Sequence, residues 1–416
     1  MRIALVHQPW SIIVPPVSHG DSIALTTDRI ARGLRKDHSV VCYSVRRLNQ
    51  PKASAFDGIE YRRIERAYDR YLVKVGSALD EFGLLPPKRC FFGSSWYFRH
   101  YARGIANDLK EHAADVVHIH NFSQFAPWIK ERNPRARVVL HMHADWLIEL
   151  DRHWVQRRLD AVDAIICCSG YFADGIRKAW PEFASRVHVV YNGVTPEEVT
   201  GIGEAPTIGK RSRRRILFVG RVAPEKGLHI LIDAFNGLVD EFPDAQLAIV
   251  GPIYKIPRAA FAFHTSNEAM VKELMKFGGA AFDEYLRRRL TPAAAERVTF
   301  TGEIPRAELL RQYRDSDLFV LPAVYPEGFG VPIIEAACWG LPAVATRRGG
   351  IPEVIVDGET GRLVEAGDTS GLRAAIADMM NNDAQRHKMG QAARERVRLF
   401  TWERAIEQLR HLYREI

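Results

Sequence analysis

The residues best suited to chemistry in this chain are carboxylates and cations set beside short apolar runs. In PEGFGVPIIEAACWG, Pro326 to Gly340, Glu327 and Glu335 stand eight residues apart, one before a Gly-flanked turn and one inside an apolar run. Pro332 suits the first turn of a helix, Gly340 its C-terminal stop, and Pro342 forbids continuation. Glu327 therefore falls in a loop and Glu335 on a helix. A carboxylate near a helix start is favoured by the helix dipole and can accept hydrogen bonds from vicinal hydroxyls such as those of a ribose. The turn Gly328-Phe329-Gly330-Val331 would offer backbone N–H groups to an anion. Taken alone, the two acids equally suit a helix-capping acid and a surface acid.

A second set is cationic. The run RILFVG is followed by Arg221 and, after VAPE, by Lys226 and Gly227, where the helical pattern KGLHILIDAF begins. Two cations on such a strand-to-helix turn can neutralise one diphosphate, Arg as a fork and Lys as a point charge, although an ordinary loop pair reads the same way. The paired glycines Gly349-Gly350 in RRGGIPEVI permit close approach of backbone to a ligand and are equally plain turn chemistry. His118 with His120 and His141 with His143 sit at i and i+2, one face of a strand each. Were the strands neighbours, the four imidazoles would cluster. No Asp or Glu within those strands completes a ligand set, so no metal site is assigned.

These residues need elements to place them. Short β-branched runs alternate with helical patterns, the signature of parallel sheets built from βαβ units. Candidate strands are 2–7, 39–45, 115–121, 137–143, 164–169 and 187–193 in the first half, then 215–220, 246–251, 297–302, 318–322 and 342–346. The fold class is α/β: two Rossmann-like, doubly wound parallel-sheet domains facing a cleft, with ligands expected beyond the carboxyl ends of the strands. The first domain is expected over 1–196, a Gly/Pro/charge-rich linker over 197–212, the second domain over 213–397, and a closing helix over 398–416 with Ala405, Leu409 and Leu412 on its apolar side. Segments 46–95 and 252–296 are less regular and read as insertions.

Composition narrows the function. The 416-residue chain is 47% hydrophobic, enough for sizeable cores. Its five cysteines form no CxxC pair or regular framework, which points to a reducing cytoplasm. The opening MRIALVHQPW has too short an apolar run for a signal peptide, and no run approaches the ~20 apolar residues of a membrane span. A net charge of +8 and pI near 9.2 are spread through the first half and the run KRSRRR, Lys210 to Arg215. Such charge suits solvated surface or peripheral contact with an anionic membrane at its inner face. No recognition module accompanies it, which argues against nucleic acid.

Together GRVAPEKG, VTFTGEIP and YPEGFGVPIIEAACWGLPAVATRRGGIPEVIVDGETGRLV resemble the donor-binding half of retaining glycosyltransferases of family 4, which have the GT-B fold. The resemblance covers nearly all of 215–416 and extends more loosely through HGDSIALTTDRIARGL, DVVHIHN and VVLHMH. It implies that Arg221 and Lys226 hold the donor diphosphate, that Glu335 binds the nucleotide ribose, and that Glu327 stands against the donor sugar. It further implies that Gly302, Glu303 and Ile304 lie along the base, and that Gly328, Phe329, Gly330 and Val331 meet the sugar and phosphate through their backbone. His143 then corresponds to the histidine that reaches the reacting sugar, and the closing helix to a segment bracing the first domain. The first loop departs from the family's adjacent glycines: it reads Ser18-His19-Gly20-Asp21, so Gly20, Asp21 and Ser22 are acceptor candidates only by position.

The activity so implied is retaining transfer of a hexose from a UDP-linked sugar to a glycan, lipid-linked or small-molecule acceptor, with no metal or other cofactor. A nucleotide-sugar epimerase of the same fold and a non-catalytic nucleotide-sugar-binding subunit are the rivals. A dehydrogenase lacks the GxGxxG fingerprint after either domain's first strand.

Overall fold

A computed structural model describes residues 1–16, 22–200, 214–253 and 282–416. The chain divides into two compact units. Of the described residues, the first comprises 1–16, 22–191 and 402–416, and the second 192–200, 214–253 and 282–401.

The first unit is built on an eight-stranded sheet: β1 (Arg2–Val6), β2 (Ser39–Val45), β3 (Ala53–Phe56), β4 (Ile59–Ile64), β5 (Val116–His120), β6 (Arg137–Met142), β7 (Ala164–Cys167) and β8 (Val187–Val189). Their spatial order is β3-β4-β2-β1-β5-β6-β7-β8, and only the β3–β4 pair is antiparallel. The central strands are buried on both faces, as a sheet covered on two sides by helices requires. The closing helix, Trp402–Glu415, buries Ala405, Ile406, Leu409, Leu412 and Tyr413 in the same core as Ile3, Leu5, Ile30 and Val139.

The second unit has six parallel strands: β9 (Arg215–Val219), β10 (Gln246–Val250), β11 (Val298–Gly302), β12 (Leu318–Leu321), β13 (Ala343–Thr346) and β14 (Gly361–Val364). Their order, β11-β10-β9-β12-β13-β14, is the doubly wound arrangement with its switch point between β9 and β12.

The expected strands of both halves are present, while 46–95 is more regular than its sequence suggests. It holds β3, β4 and a helix over Ala67–Glu81. IEYRRI alternates buried and half-buried positions and places Glu60, Arg62 and a buried Arg63 among its apolar residues, so it lacks the continuous apolar run of the central strands. Of the stretch read as a linker, 197–212, residues 201–212 lie outside the described residues, as does 213, and its first residues belong to a short helix over Pro196–Thr200. Residues 254–281 also lie outside them; helices over Phe282–Arg289 and Pro292–Ala295 follow. All five cysteines are buried and free. Among the described residues no helix is long and apolar enough to cross a membrane.

Candidate active site

In the second unit the loops leaving β9 and β12 flank the switch point and are knitted together. The Val324 amide donates to the Glu225 carbonyl at 3.1 Å. Gly227, at φ +69°, packs so closely that a Cβ there would lie 1.9 Å from the Pro322 carbonyl oxygen, so only glycine fits. The β9 loop carries Arg221 and Lys226, and the β12 loop carries Glu327. Gly330 adopts a left-handed conformation and opens the helix Val331–Cys338, with Pro332 in its first turn. The first amides of a helix are the ones left for an anion, and here the Ile333 amide already donates to the Gly330 carbonyl at 2.9 Å while Pro332 carries no amide hydrogen. Phe329 is buried edge-on against Phe400, their ring centres 5.3 Å apart, so its ring anchors the loop.

Lys226 Nζ forms an ion pair with Glu327 Oε2, and both side chains are more than four-fifths buried. Arg221 is half-exposed, 3.0 Å from Glu225 Oε1. The Gly349-Gly350 pair is used on the protein's own backbone: the Gly350 amide donates to the Glu327 carbonyl at 2.8 Å, and a Cβ on Gly349 would lie 2.1 Å from that oxygen. These glycines therefore buttress the Glu327 backbone.

Glu335 is held from two sides that its sequence context does not announce. Arg306 Nη2 lies 2.7 Å from Oε1, and the Tyr313 hydroxyl donates to Oε2 at 3.0 Å. Burial, reinforced by the Glu335 charge, pushes the Tyr313 phenol well above its ordinary range and keeps it a donor. Burial opposes the Arg306 charge, but Glu335 outweighs it and raises the guanidinium pKa. Both partners come from one helix, Arg306–Arg314, and their seven-residue spacing was the signal available in the sequence. Gly302 ends β11 at φ +69°, its carbonyl accepting from the Gly251 amide at 3.0 Å; Glu303 is exposed and Ile304 half-buried.

In the first unit β5 and β6 are parallel neighbours, with His120 opposite His141. The four imidazoles cluster. His118 Nε2 lies 3.1 Å from His141 Nδ1, His120 Nδ1 lies 3.1 Å from His143 Nε2, and His118 Nδ1 bonds the Tyr413 hydroxyl of the closing helix. One nitrogen from each of His118, His120 and His141 falls within 4.8 Å of the others, the spacing of a group able to hold a metal ion. His143 is half-buried, and its backbone amide donates to Asn121 Oδ1 at 2.7 Å. Gly20 and Asp21 lie outside the described residues; Ser22 is exposed at the start of the helix Ser22–Leu34.

Burial, with the neighbouring imidazoles adding to it, drives His120 and His141 well below their ordinary pKa and lowers His118 to about 3. The unfolded chain takes up these protons near pH 6.5 and the folded chain does not, so stability falls as pH drops from 7 toward 4. Each such proton contributes about 1.4 kcal/mol per pH unit. Denaturant titrations at pH 7, 6 and 5 should show this decline; a flat profile would contradict neutral burial.

Family models account for both halves of the chain: "Glycosyltransferase Family 4" matches residues 23–198 and "Glycosyl transferases group 1" matches residues 206–396. The chain belongs to these glycosyltransferases. The spore coat protein SA of Bacillus subtilis is 25% identical over 429 residues, covering 99% of each chain. Among solved structures, a sucrose-phosphate synthase from Thermosynechococcus elongatus matches with a TM-score of 0.74 at 19% identity, covering 100% of this chain and 98% of that one. HepE of Anabaena, solved with UDP and glucose, matches with a TM-score of 0.68 at 17% identity over 100% of both chains. The glycosyltransferase thus has the GT-B fold, with its two Rossmann-like domains.

Proposed function

We infer that this glycosyltransferase moves a hexose from a UDP-linked donor, UDP-glucose first among them, to a glycan, lipid-linked or small-molecule acceptor, with retention and without a metal. The observation that carries the reading is the Lys226–Glu327 pair at the switch point of the second unit, beside Arg221 and the helix start at Val331. The UDP and glucose bound by HepE support the choice of donor.

The pair supplies a mechanism. A donor diphosphate competes with Glu327 for Lys226, and the carboxylate is released toward the sugar as the cation turns to the phosphates. As the bond from the anomeric carbon to the phosphate oxygen breaks, negative charge grows on the diphosphate, where Arg221, Lys226 and the amides near Gly330 stabilise it. The sugar becomes oxocarbenium-like, and a freed Glu327 carboxylate favours that positive charge. The acceptor hydroxyl enters on the face the diphosphate leaves and passes its proton to the departing phosphate oxygen, which retains configuration. Glu335, already oriented by Arg306 and Tyr313, keeps lone pairs for the ribose hydroxyls.

The expected setting is the cytoplasm, with peripheral contact at an anionic membrane and no nucleic acid partner. The test is release of UDP from UDP-glucose in the presence of candidate acceptors, with and without EDTA. Sugar-dependent release unaffected by chelation supports the reading. Loss on chelation restored by magnesium or manganese contradicts the site, and appearance of an epimer from the donor alone favours an epimerase.

A further inference from the structure

The first unit carries a pocket of about 570 Å³ at the carboxyl ends of β1, β2 and β4, lined by Trp10, Ile12, Val14, Arg46, Arg47 and Arg66 among others. Its chemistry divides into two walls. On one side three arginines converge. The Arg47 guanidinium has no hydrogen-bond or ion-pair partner among the described residues. Among the described residues Arg66 donates to the Pro9 carbonyl and forms no ion pair with a carboxylate, and Arg46 is shared with the exposed Glu65 and the Gln50 carbonyl. Burial first, then the charge of Arg70 and more weakly that of Arg47, work against the Arg66 cation, while Tyr101 and Asp69 offset part of this; the net effect lowers its pKa, which a bound anion would oppose.

The other wall is Trp10, 43% exposed yet rigidly seated. Its indole N–H donates to the Tyr97 hydroxyl at 2.8 Å, its ring stacks on Phe92, and Phe122 and Trp146 meet it edge-on. A fixed half-exposed indole next to unpaired guanidinium charge suits a ligand with a phosphate at one end and an uncharged body at the other. Beyond Arg66 the helix Ala67–Glu81 exposes Tyr68, Tyr71, Val75 and Leu79, followed by Phe82, a stripe at helical spacing that the fold leaves uncovered.

We propose that this pocket binds the phosphate of a phosphate- or diphosphate-bearing acceptor, with Trp10 against the acceptor's uncharged part. The proposal rests on the reading of the chain as a glycosyltransferase with its nucleotide held in the second unit. Two sources share this chemistry, a water-soluble sugar phosphate and a lipid-linked phosphate whose chain would follow the exposed stripe.

The test is calorimetry on full-length protein saturated with UDP, so that the donor diphosphate site is filled. The probes are inorganic pyrophosphate, glucose 6-phosphate and farnesyl diphosphate. Wild type should bind at least one of them, and Arg47→Ala and Arg46→Ala should each weaken that binding roughly 10-fold, with UDP affinity and thermal midpoint retained. Arg47→Lys should recover part of the loss. Farnesyl diphosphate binding tighter than the other two, and weakened in Trp10→Ala, assigns a lipid-linked acceptor; glucose 6-phosphate binding tightest assigns a soluble one. Undiminished affinity in the Arg46/Arg47 double variant, or no binding of any probe to the UDP-saturated wild type, overturns the proposal. A wild type that fails to bind UDP contradicts the functional reading instead, and the arginine variants then still report on the pocket.

Discussion

Replacing Glu327 by alanine should lower turnover ~10²–10³-fold, the usual cost of removing one electrostatic contact to the transition state. UDP affinity should not fall, because removing the competing carboxylate leaves Lys226 to the diphosphate. The expectation follows from the arrangement around the carboxylate. Its backbone is fixed by Gly349 and Gly350, while its side chain is held by Lys226 through an exchangeable ion pair. The fixed part places the acid; the exchangeable part lets a diphosphate take the lysine. Steady-state kinetics and calorimetry on one preparation separate the roles. A variant with near-normal kcat and weakened UDP binding would make Glu327 a nucleotide contact and remove it from the chemistry. Glu327→Gln sharpens the comparison, because it keeps the size of the side chain and loses the charge an oxocarbenium-like sugar would feel.

His143→Ala is the second large effect expected: a severe fall in kcat with nucleotide affinity retained. His143 belongs to the first unit, whereas the residues assigned to the nucleotide belong to the second. Of the four clustered imidazoles it is the one that is not fully buried, and its ring is oriented by His120 while Asn121 holds its backbone. Its three buried neighbours thus form a neutral platform for it. His120→Asn should lower kcat less than His143→Ala, since the ring stays and only its orientation loosens. Near-normal turnover in His143→Ala would take the residue out of the reaction and leave the cluster as core packing.

Much of the architecture is legible in the sequence because buried parallel strands are written as continuous apolar runs. RIALVH, RILFVG and LFVLP each become a central strand. Pro332 and Gly340 bound the helix bearing Glu335 where their backbone preferences require. What was not legible depends on geometry across the fold. β4 hides its strand character behind Glu60, Arg62 and Arg63, and the exposed stripe of Ala67–Glu81 gives no core signal. The ion pairs joining Lys226 to Glu327 and Arg306 to Glu335 span 101 and 29 residues, beyond the reach of local spacing. The glycines of RRGGIPEVI were legible as a close approach, but not that the approached backbone belongs to Glu327.

If the second unit holds a nucleoside diphosphate with Glu335 on the ribose, titration of UDP into wild type, Glu335→Ala and Glu335→Gln will show it. Loss of hydrogen bonds to a charged acceptor should weaken UDP ~10–100-fold in the alanine variant, with an intermediate loss in the glutamine variant. UDP affinity unchanged in a folded Glu335→Ala protein would contradict it.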